Sequence, residues 1–433
     1  MNASLRVLAA LALGTVPVTP APAQETVALR CGRIIDVAEG VARPGAVVVV
    51  RDGKIASIDT RVPEGARSID LSDQSCLPGL IDLHAHILIN PDDQGMGLQR
   101  SSAGRALDGL RNAQRMLEVG FTTIRDPGDY DAYYALTDIK NAFASGAFEG
   151  PRLFVAPHAI SATGGHGDVN DLAPDLAIAT PTRIADGAEA LRRTIREEIK
   201  YGADWIKLMA TGGVMSAGDD PNVTTYSPEE LAAAVEETHR HGKRITVHAI
   251  GTAGIKDAVR AGVDAVEHGI LIDDEGIALM KERGTWLIPT IYVLNYVIDA
   301  GPAMGFSPES IEKGRRLRDE RDRRIRRAFE AGVKTAYGSD TIFPHQDAVL
   351  EFRELVRLGL PPIEAIRAAT TNAAEALGIA DEVGTLEPGK LADIVAVPGN
   401  PLDDIRVLEA VSFVMKSGRV VDGAGRKPTR ALP

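Results

Sequence analysis

The stretch Leu77-Pro78-Gly79-Leu80-Ile81-Asp82-Leu83-His84-Ala85-His86 places an apolar run, opened by Pro-Gly, directly before two histidines one residue apart. On a β-strand, side chains two positions apart leave the same face, so His84 and His86 point together from a strand end. Imidazole is a common ligand for zinc and similar metals. A bare His-x-His also occurs on loops with no metal, so its meaning depends on what other ligands the chain supplies.

Working outward, seven more short apolar runs follow Leu80–His84. They are Thr122–Arg125, Leu153–Ala156, Trp205–Met209, Ile245–His248, Ala265–His268, Trp286–Pro289 and Thr335–Gly338. Amphipathic helical patterns lie between most of them, for example Pro228–His241 and Gly254–Ala261. Eight strands alternating with helices predict an α/β protein of the (β/α)8 TIM-barrel type, spanning 79–383. In such a barrel the active site lies at the C-terminal ends of the strands. Ligand-type residues should then end the strands, and they do. Lys207 lies inside Trp205-Ile206-Lys207-Leu208-Met209, His248 ends one run, His268 another, and Asp340 follows Gly338-Ser339.

Each residue has an ordinary alternative. A strand-end histidine can simply be hydrogen-bonded in a loop, a lysine in an apolar strand can extend its ammonium to the surface, and an aspartate after Gly-Ser can cap a helix. All of these would have to coincide at one rim. A two-metal site accounts for them together. His84, His86 and Asp340 hold one cation, and His248 and His268 hold the second. An ammonium has no lone pair to donate, but CO2 or bicarbonate would convert Lys207 to N6-carboxylysine, an anion able to bridge both metals. A bridging water would be acidic enough to attack as hydroxide at neutral pH. Zinc leads the candidate metals, with manganese and cobalt open.

Outside the barrel, residues 27–75 read as short strands, with Arg51-Asp52-Gly53-Lys54 a hairpin signal. The end of the chain reads the same way at 391–397 and 413–421. A small β-sandwich-like domain built from residues 24–78 and 384–433 follows, since neither piece alone buries much apolar surface. Residues 1–23 read as a signal peptide, with Arg6 the sole charge, an apolar run Val7–Leu13 and Ala21-Pro22-Ala23 as the cleavage pattern. The run is too short to span a bilayer. A secreted, soluble, periplasmic protein with no membrane span is expected.

A formal net charge of −12 argues against nucleic acid as the main partner. Cys31 and Cys76 are the only cysteines. They can pair in an oxidising compartment or stand as two free, partly buried thiols. Glu312–Glu330 carries nine Lys or Arg and five Asp or Glu, and reads as a solvated helix with i, i+4 pairs rather than a basic recognition patch.

The chain resembles the amidohydrolase superfamily, in its binuclear, carboxylated-lysine branch. The matching motifs are Gly79-Leu80-Ile81-Asp82-Leu83-His84-Ala85-His86, Thr122-Thr123-Ile124-Arg125-Asp126, Ile206-Lys207, Val247-His248-Ala249, Glu267-His268-Gly269, Gly338-Ser339-Asp340 and Gly384-Thr385-Leu386-Glu387-Pro388-Gly389-Lys390-Leu391-Ala392-Asp393. Within that branch it is most similar to the imidazolonepropionase-related group of Xaa-Pro dipeptidases, carboxypeptidases and ochratoxin-hydrolysing amidases. The resemblance implies hydrolysis of an amide bond to an amino acid in a dipeptide, an Xaa-Pro peptide or an N-acyl amino acid, with Asp340 as ligand and proton shuttle. It implies that His166 faces the substrate and acts as an oxyanion donor, that Gly212, Gly213 and Val214 contact substrate with Tyr226 a weaker candidate, and that the protein assembles as a homo-oligomer. One departure is the run His248-Ala249-Ile250-Gly251, which lacks the aromatic residue that several relatives carry there. Tyr292 and Tyr296 are candidates to take that role. A lactone, cyclic-amide or phosphoester hydrolase using the same metals is the enzymatic alternative, and a non-catalytic scaffold the remote one.

Overall fold

The computed structural model describes residues 26–90, 100–128, 131–168, 170, 173, 175–176 and 179–424. The expected signal peptide lies outside them.

One seven-stranded sheet takes strands from both ends of the chain. Its order is Arg419–Val420, Phe413–Lys416, Ile394–Pro398, Arg67–Pro78, Val27–Asp36, Val41–Arg51 and Lys54–Asp59. The last two form the hairpin expected from Asp52-Gly53, where both residues take positive φ (56° and 76°) as a tight hairpin turn requires. Arg67–Pro78 joins the two ends, pairing parallel to Val27–Asp36 and antiparallel to Ile394–Pro398. Leu29, Ile34, Val48, Val50, Ile55, Ile394 and Met415 form its apolar core. Inside that core Cys31 and Cys76 are joined as a disulfide, with 5.9 Å between their Cα atoms, which resolves the two readings the sequence allowed.

The chain then enters its parallel strands. Leu80–Asp82, Phe121–Asp126 and Arg152–Val155 make a three-stranded sheet. Trp286–Ile288, Ala265–His268, Arg244–Ala249, Trp205–Met209, Ala159–Ser161 and Arg183–Ile184 make a six-stranded one. Helices such as Ala188–Lys200, Pro228–Arg240 and Thr252–Ala261 separate successive strands; the first two pack on each other, and the last two on Arg244–Ala249. Pro228–Arg240 begins where a capping box predicts: Ser227 and Glu230 satisfy each other's backbone N–H groups, with Pro228 at the first helical position.

The strand pattern departs from the sequence expectation in two places. The third strand is broken: Arg152–Val155 pairs with Phe121–Asp126, and Ala159–Ser161 pairs with Trp205–Met209. His158 sits buried at the break, bonded to Glu198 at 2.9 Å. The eighth run, Thr335–Gly338, forms only an isolated bridge, Leu287 to Thr335. Backbone bonds join this segment to both neighbours: Leu287 N–H to Lys334 O (2.8 Å) and Ala336 N–H to Leu287 O (3.0 Å) on one side, Leu83 N–H to Tyr337 O (2.9 Å) and Asp340 N–H to His84 O (2.6 Å) on the other. Just past the run, Asp340 takes φ 58°. Among the described residues the parallel ladders therefore form two sheets and not one closed ring.

The charged segment is the helix Pro308–Glu330, which turns Ile311, Leu317, Ile325 and Ala328 inward and pairs outward charges such as Glu312–Arg316 at 3.0 Å. Arg321 is the exception, fully buried and bonded to Ile291 O at 2.7 Å and Asn295 Oδ1 at 2.8 Å. No helix of the described residues is long and apolar enough to cross a membrane.

Candidate metal centre

His84, His86, His166, Lys207, His248, His268 and Asp340 all line one cavity of about 290 Å3. His84 and His86 follow the strand Leu80–Asp82. Asp82 fixes the turn, accepting from the backbone N–H groups of His84 (2.9 Å) and Ser339 (3.1 Å) and from the Ser339 hydroxyl. Burial raises the Asp82 carboxyl to about 7 even against those hydrogen bonds. Gly338 lets the next segment come close: a Cβ there would lie 2.8 Å from His84 Cβ and 2.4 Å from the Ile288 side chain.

The orientation of His84 is fixed by a buried carboxylate. Its Nδ1 lies 2.7 Å from Glu267 Oε2, and Glu267 Oε1 accepts from Arg125 and from the Thr246 hydroxyl. Arg125 also donates to Leu83 O at 2.6 Å and lies 4.6 Å over the Trp205 ring. With Nδ1–H given to Glu267, His84 Nε2 presents a lone pair. It faces His86 Nε2 at 3.2 Å and Asp340 Oδ1 at 3.7 Å, and Asp340 Oδ1 is 3.2 Å from His86 Nε2. Ligand atoms of His84, His268 and Asp340 fall within 4.8 Å of one another. Converging lone pairs repel unless a cation or proton sits between them, and a carboxylate–histidine pair behind the ligand is a recurring support of metal sites. The residues present fit a divalent cation.

The other half of the cluster adjoins this one. The His248 and His268 ring centroids are 4.7 Å apart, and His166 stacks on His248 at 4.3 Å. His268 Nδ1 meets Thr290 Oγ1 at 2.7 Å, and His248 Nε2 meets Gly212 O at 3.1 Å. Burial drives His84 and His248 well below the ordinary imidazole value, and takes His166 and His268 down to about 4. The rings are thus neutral and able to donate lone pairs. Lys207 is buried in its strand and lowered to about 8, chiefly by burial. His268, Thr290 and Asp340 adopt left-handed backbone conformations, φ 67°, 44° and 58°. For residues with side chains these cost of order 1–3 kcal/mol each and cluster at functional sites.

Four of the residues expected to contact substrate do not line this cavity. Gly212 and Gly213 do not line the cavity. A Cβ on Gly213 would strike the His166 ring at 2.1 Å, and one on Gly212 would strike Asp220 O at 2.3 Å, so Gly212 packs within its own loop and Gly213 against the histidine. Tyr226 is buried in the main core, and Tyr292 is buried 4.8 Å from Phe343 in an aromatic cluster that also takes Tyr296. Their apolar ring faces found core partners that a linear sequence does not display. Val214 does line the cavity, as do Met215, Ser216, Ile250, Ile270, Leu294 and Val297. Sequence reasoning gave no role to Arg125, Glu267 or Ser216. The available signal was a charge in each of two buried strands, Thr-Thr-Ile-Arg-Asp and Ala-Val-Glu-His.

Fold and site define a class: an α/β protein whose parallel strands carry buried histidines, a lysine and an aspartate at or near their C-terminal ends, fit for a divalent cation. The amidohydrolase family model matches residues 76–421, and the chain belongs to that family. It is 36% identical over 376 residues to the ochratoxinase of Aspergillus niger, covering 81% of this chain and 76% of that one. The crystal structure of that ochratoxinase superposes with TM-score 0.82 at 32% identity, covering 94% of this chain and 98% of that one. A Xaa-Pro dipeptidase solved with methionine in its active site gives TM-score 0.86 at 33% identity, covering 92% and 99%. The protein is a hydrolase acting on carbon–nitrogen bonds.

Proposed function

We propose that this chain is a binuclear metal-dependent amidohydrolase that cleaves the amide of an N-acyl amino acid or a dipeptide, Xaa-Pro peptides and ochratoxin-type amides included. The observation that carries the reading is the convergence of His84 Nε2, His86 Nε2 and Asp340 Oδ1 in front of the buried Glu267. His84, His86 and Asp340 would hold one divalent cation and His248 and His268 a second, with Lys207 as N6-carboxylysine between them. Bound there, divalent cations supply Lewis acidity, polarising the scissile carbonyl and making water acidic enough to attack at neutral pH. Asp340 takes a proton from the attacking water and returns it to the leaving nitrogen. Glu267 keeps His84 in its Nδ1–H tautomer throughout. Zinc is the metal we favour, with bicarbonate needed to load the lysine.

The parallel strands belong on this reading to a closed (β/α)8 barrel over 79–383, flanked by a β-domain of 24–78 and 384–433. Export behind residues 1–23 to the periplasm and homo-oligomeric assembly are part of the same proposal.

The test reconstitutes purified protein with zinc, manganese or cobalt plus bicarbonate, and measures metal content and turnover of N-acyl amino acids, Xaa-Pro dipeptides and lactones. About two metals per chain and a preference for an amide are expected. Preference for a lactone over every amide overturns the substrate assignment. Absence of both metal and activity returns the chain to a scaffold.

A further inference from the structure

His166 belongs to a loop-borne hydrogen-bond chain that runs away from the candidate metal centre. Its Nδ1 lies 2.7 Å from Ser216 Oγ. The Ser216 hydroxyl donates to Asp219 Oδ2 at 2.6 Å, and the Gly213 N–H donates to the same oxygen at 2.7 Å. Asp219 Oδ1 accepts from Lys313 Nζ at 3.0 Å, and Lys313 also reaches Ser216 O at 2.9 Å and Glu309 at 3.1 Å. The Asp219 and Lys313 side chains are 5% and 14% exposed, and that of His166 is 18% exposed.

Proton counting fixes its direction. A carboxylate paired with an ammonium accepts only, so the single proton of the Ser216 hydroxyl is committed to Asp219. Ser216 Oγ therefore meets His166 with a lone pair, and the proton between them belongs to His166 Nδ1. In the neutral ring the remaining nitrogen, Nε2, then carries a lone pair on a side chain that lines the cavity. Such a nitrogen accepts a hydrogen bond and cannot give one. The Gly213 backbone, against the ring, and the stacked His248 ring hold this orientation.

We propose that Ser216 and Asp219, anchored by Lys313, are positioning residues that fix His166 in its Nδ1–H tautomer and make Nε2 an acceptor for an N–H of the substrate. The substrate class follows from the role: amides that carry a hydrogen on the scissile nitrogen are favoured over N-alkylated ones, which narrows the proposed function by placing Xaa-Pro peptides, whose scissile nitrogen carries no hydrogen, among the poorer substrates. This rests on the amide-hydrolase reading and reassigns His166 from the oxyanion donor that the family resemblance implied.

The first test needs no activity. Uniformly 15N-histidine-labelled protein, loaded with zinc and bicarbonate, is read by NMR through the two-bond couplings of the imidazole, with His166→Gln identifying the His166 signals among the nine histidines. The Nδ1–H tautomer is expected in the wild type and in Ser216→Thr, and its loss is expected in Ser216→Ala and Asp219→Asn. An Nε2–H tautomer in the wild type overturns the proposal. The second test compares an N-acyl-phenylalanine with its N-methyl counterpart. Ser216→Ala should lower kcat/KM about ten-fold for the first, the size of one hydrogen bond, and less than about two-fold for the second, with metal content unchanged and with recovery in Ser216→Thr. Equal losses on both substrates, or none, overturn the acceptor role. Failure of the wild type to hydrolyse any amide would sink the amide-hydrolase reading instead, and leaves the tautomer measurement to decide the positioning role.

Discussion

Around Cys31 and Cys76 the seven-stranded sheet buries Leu29, Ile34, Val48, Ile55 and Met415. At the ends of the parallel strands the buried groups are His84, Arg125, Lys207, His248, Glu267 and His268. The first region is stable for an ordinary reason: fully burying one such aliphatic side chain contributes roughly 1.5–3 kcal/mol. The second spends stability. It takes charges out of water, leaves lone pairs facing one another and holds three residues in left-handed backbone conformations. The contrast teaches that the fold's security lies where no chemistry occurs. The rim is held in place by the apolar packing around it.

Breaking the rim should remove function and spare the fold. His84→Ala is expected to lower kcat/KM by about a thousand-fold or more and to lose metal by elemental analysis, while circular dichroism stays native. Near-normal turnover would refute the site. Breaking the sheet should do the reverse. Replacing Cys31 and Cys76 by serine opens a loop with sequence separation 45, which costs about 4 kcal/mol on the chain-entropy account. The urea midpoint should drop accordingly, with kcat/KM at 25 °C within about two-fold of wild type. A matching loss of activity would show that the two regions are not separable.

Finer changes sharpen the contrast. Glu267→Gln keeps the shape of the buried network but weakens the hold on His84 Nδ1–H, so zinc affinity by competition titration should fall about 10–100-fold. An unchanged affinity would mean that His84 is oriented by packing alone. The smallest effect is in pH, between 7 and 6. His268, and the buried His345 whose ring Nε2 meets His86 O at 2.9 Å, sit at about 4 in the fold through burial, against about 6.5 unfolded. Below 6.5 the unfolded chain binds protons that the folded one refuses. Stability of the metal-free protein therefore falls as pH drops from 6.5 toward 4, by under about 1 kcal/mol per histidine between pH 7 and 6. A urea midpoint that rises on acidification would contradict this.

Much of the frame was legible because strands and hairpins are local. Trp205–Met209 and Ala265–His268 are found where their apolar runs lie, and Asp52-Gly53 turns where its φ angles allow. The candidate ligands were legible because polar residues ending apolar runs must face something. The break at His158 and the shortness of the Thr335 pairing were not, since both depend on where a neighbouring strand stands. Arg125, Glu267 and Ser216 were missed because their partners lie 142, 183 and 50 positions away. The burial of Tyr226 and Tyr292 was not legible, because an aromatic ring near a rim can turn to the cavity or to the core, and packing decides.

Gly213 and Gly338 have a consequence for anyone who would re-engineer the enzyme. At each the backbone leans on a histidine ring or its stem, with no space for even one added carbon. A library that randomised the surrounding loops for new substrates would discard most of its members at these two codons. Held constant, they let Val214, Met215, Ile250, Leu294 and Val297 be varied as a wall while the hinges of the histidine cluster stay where they are.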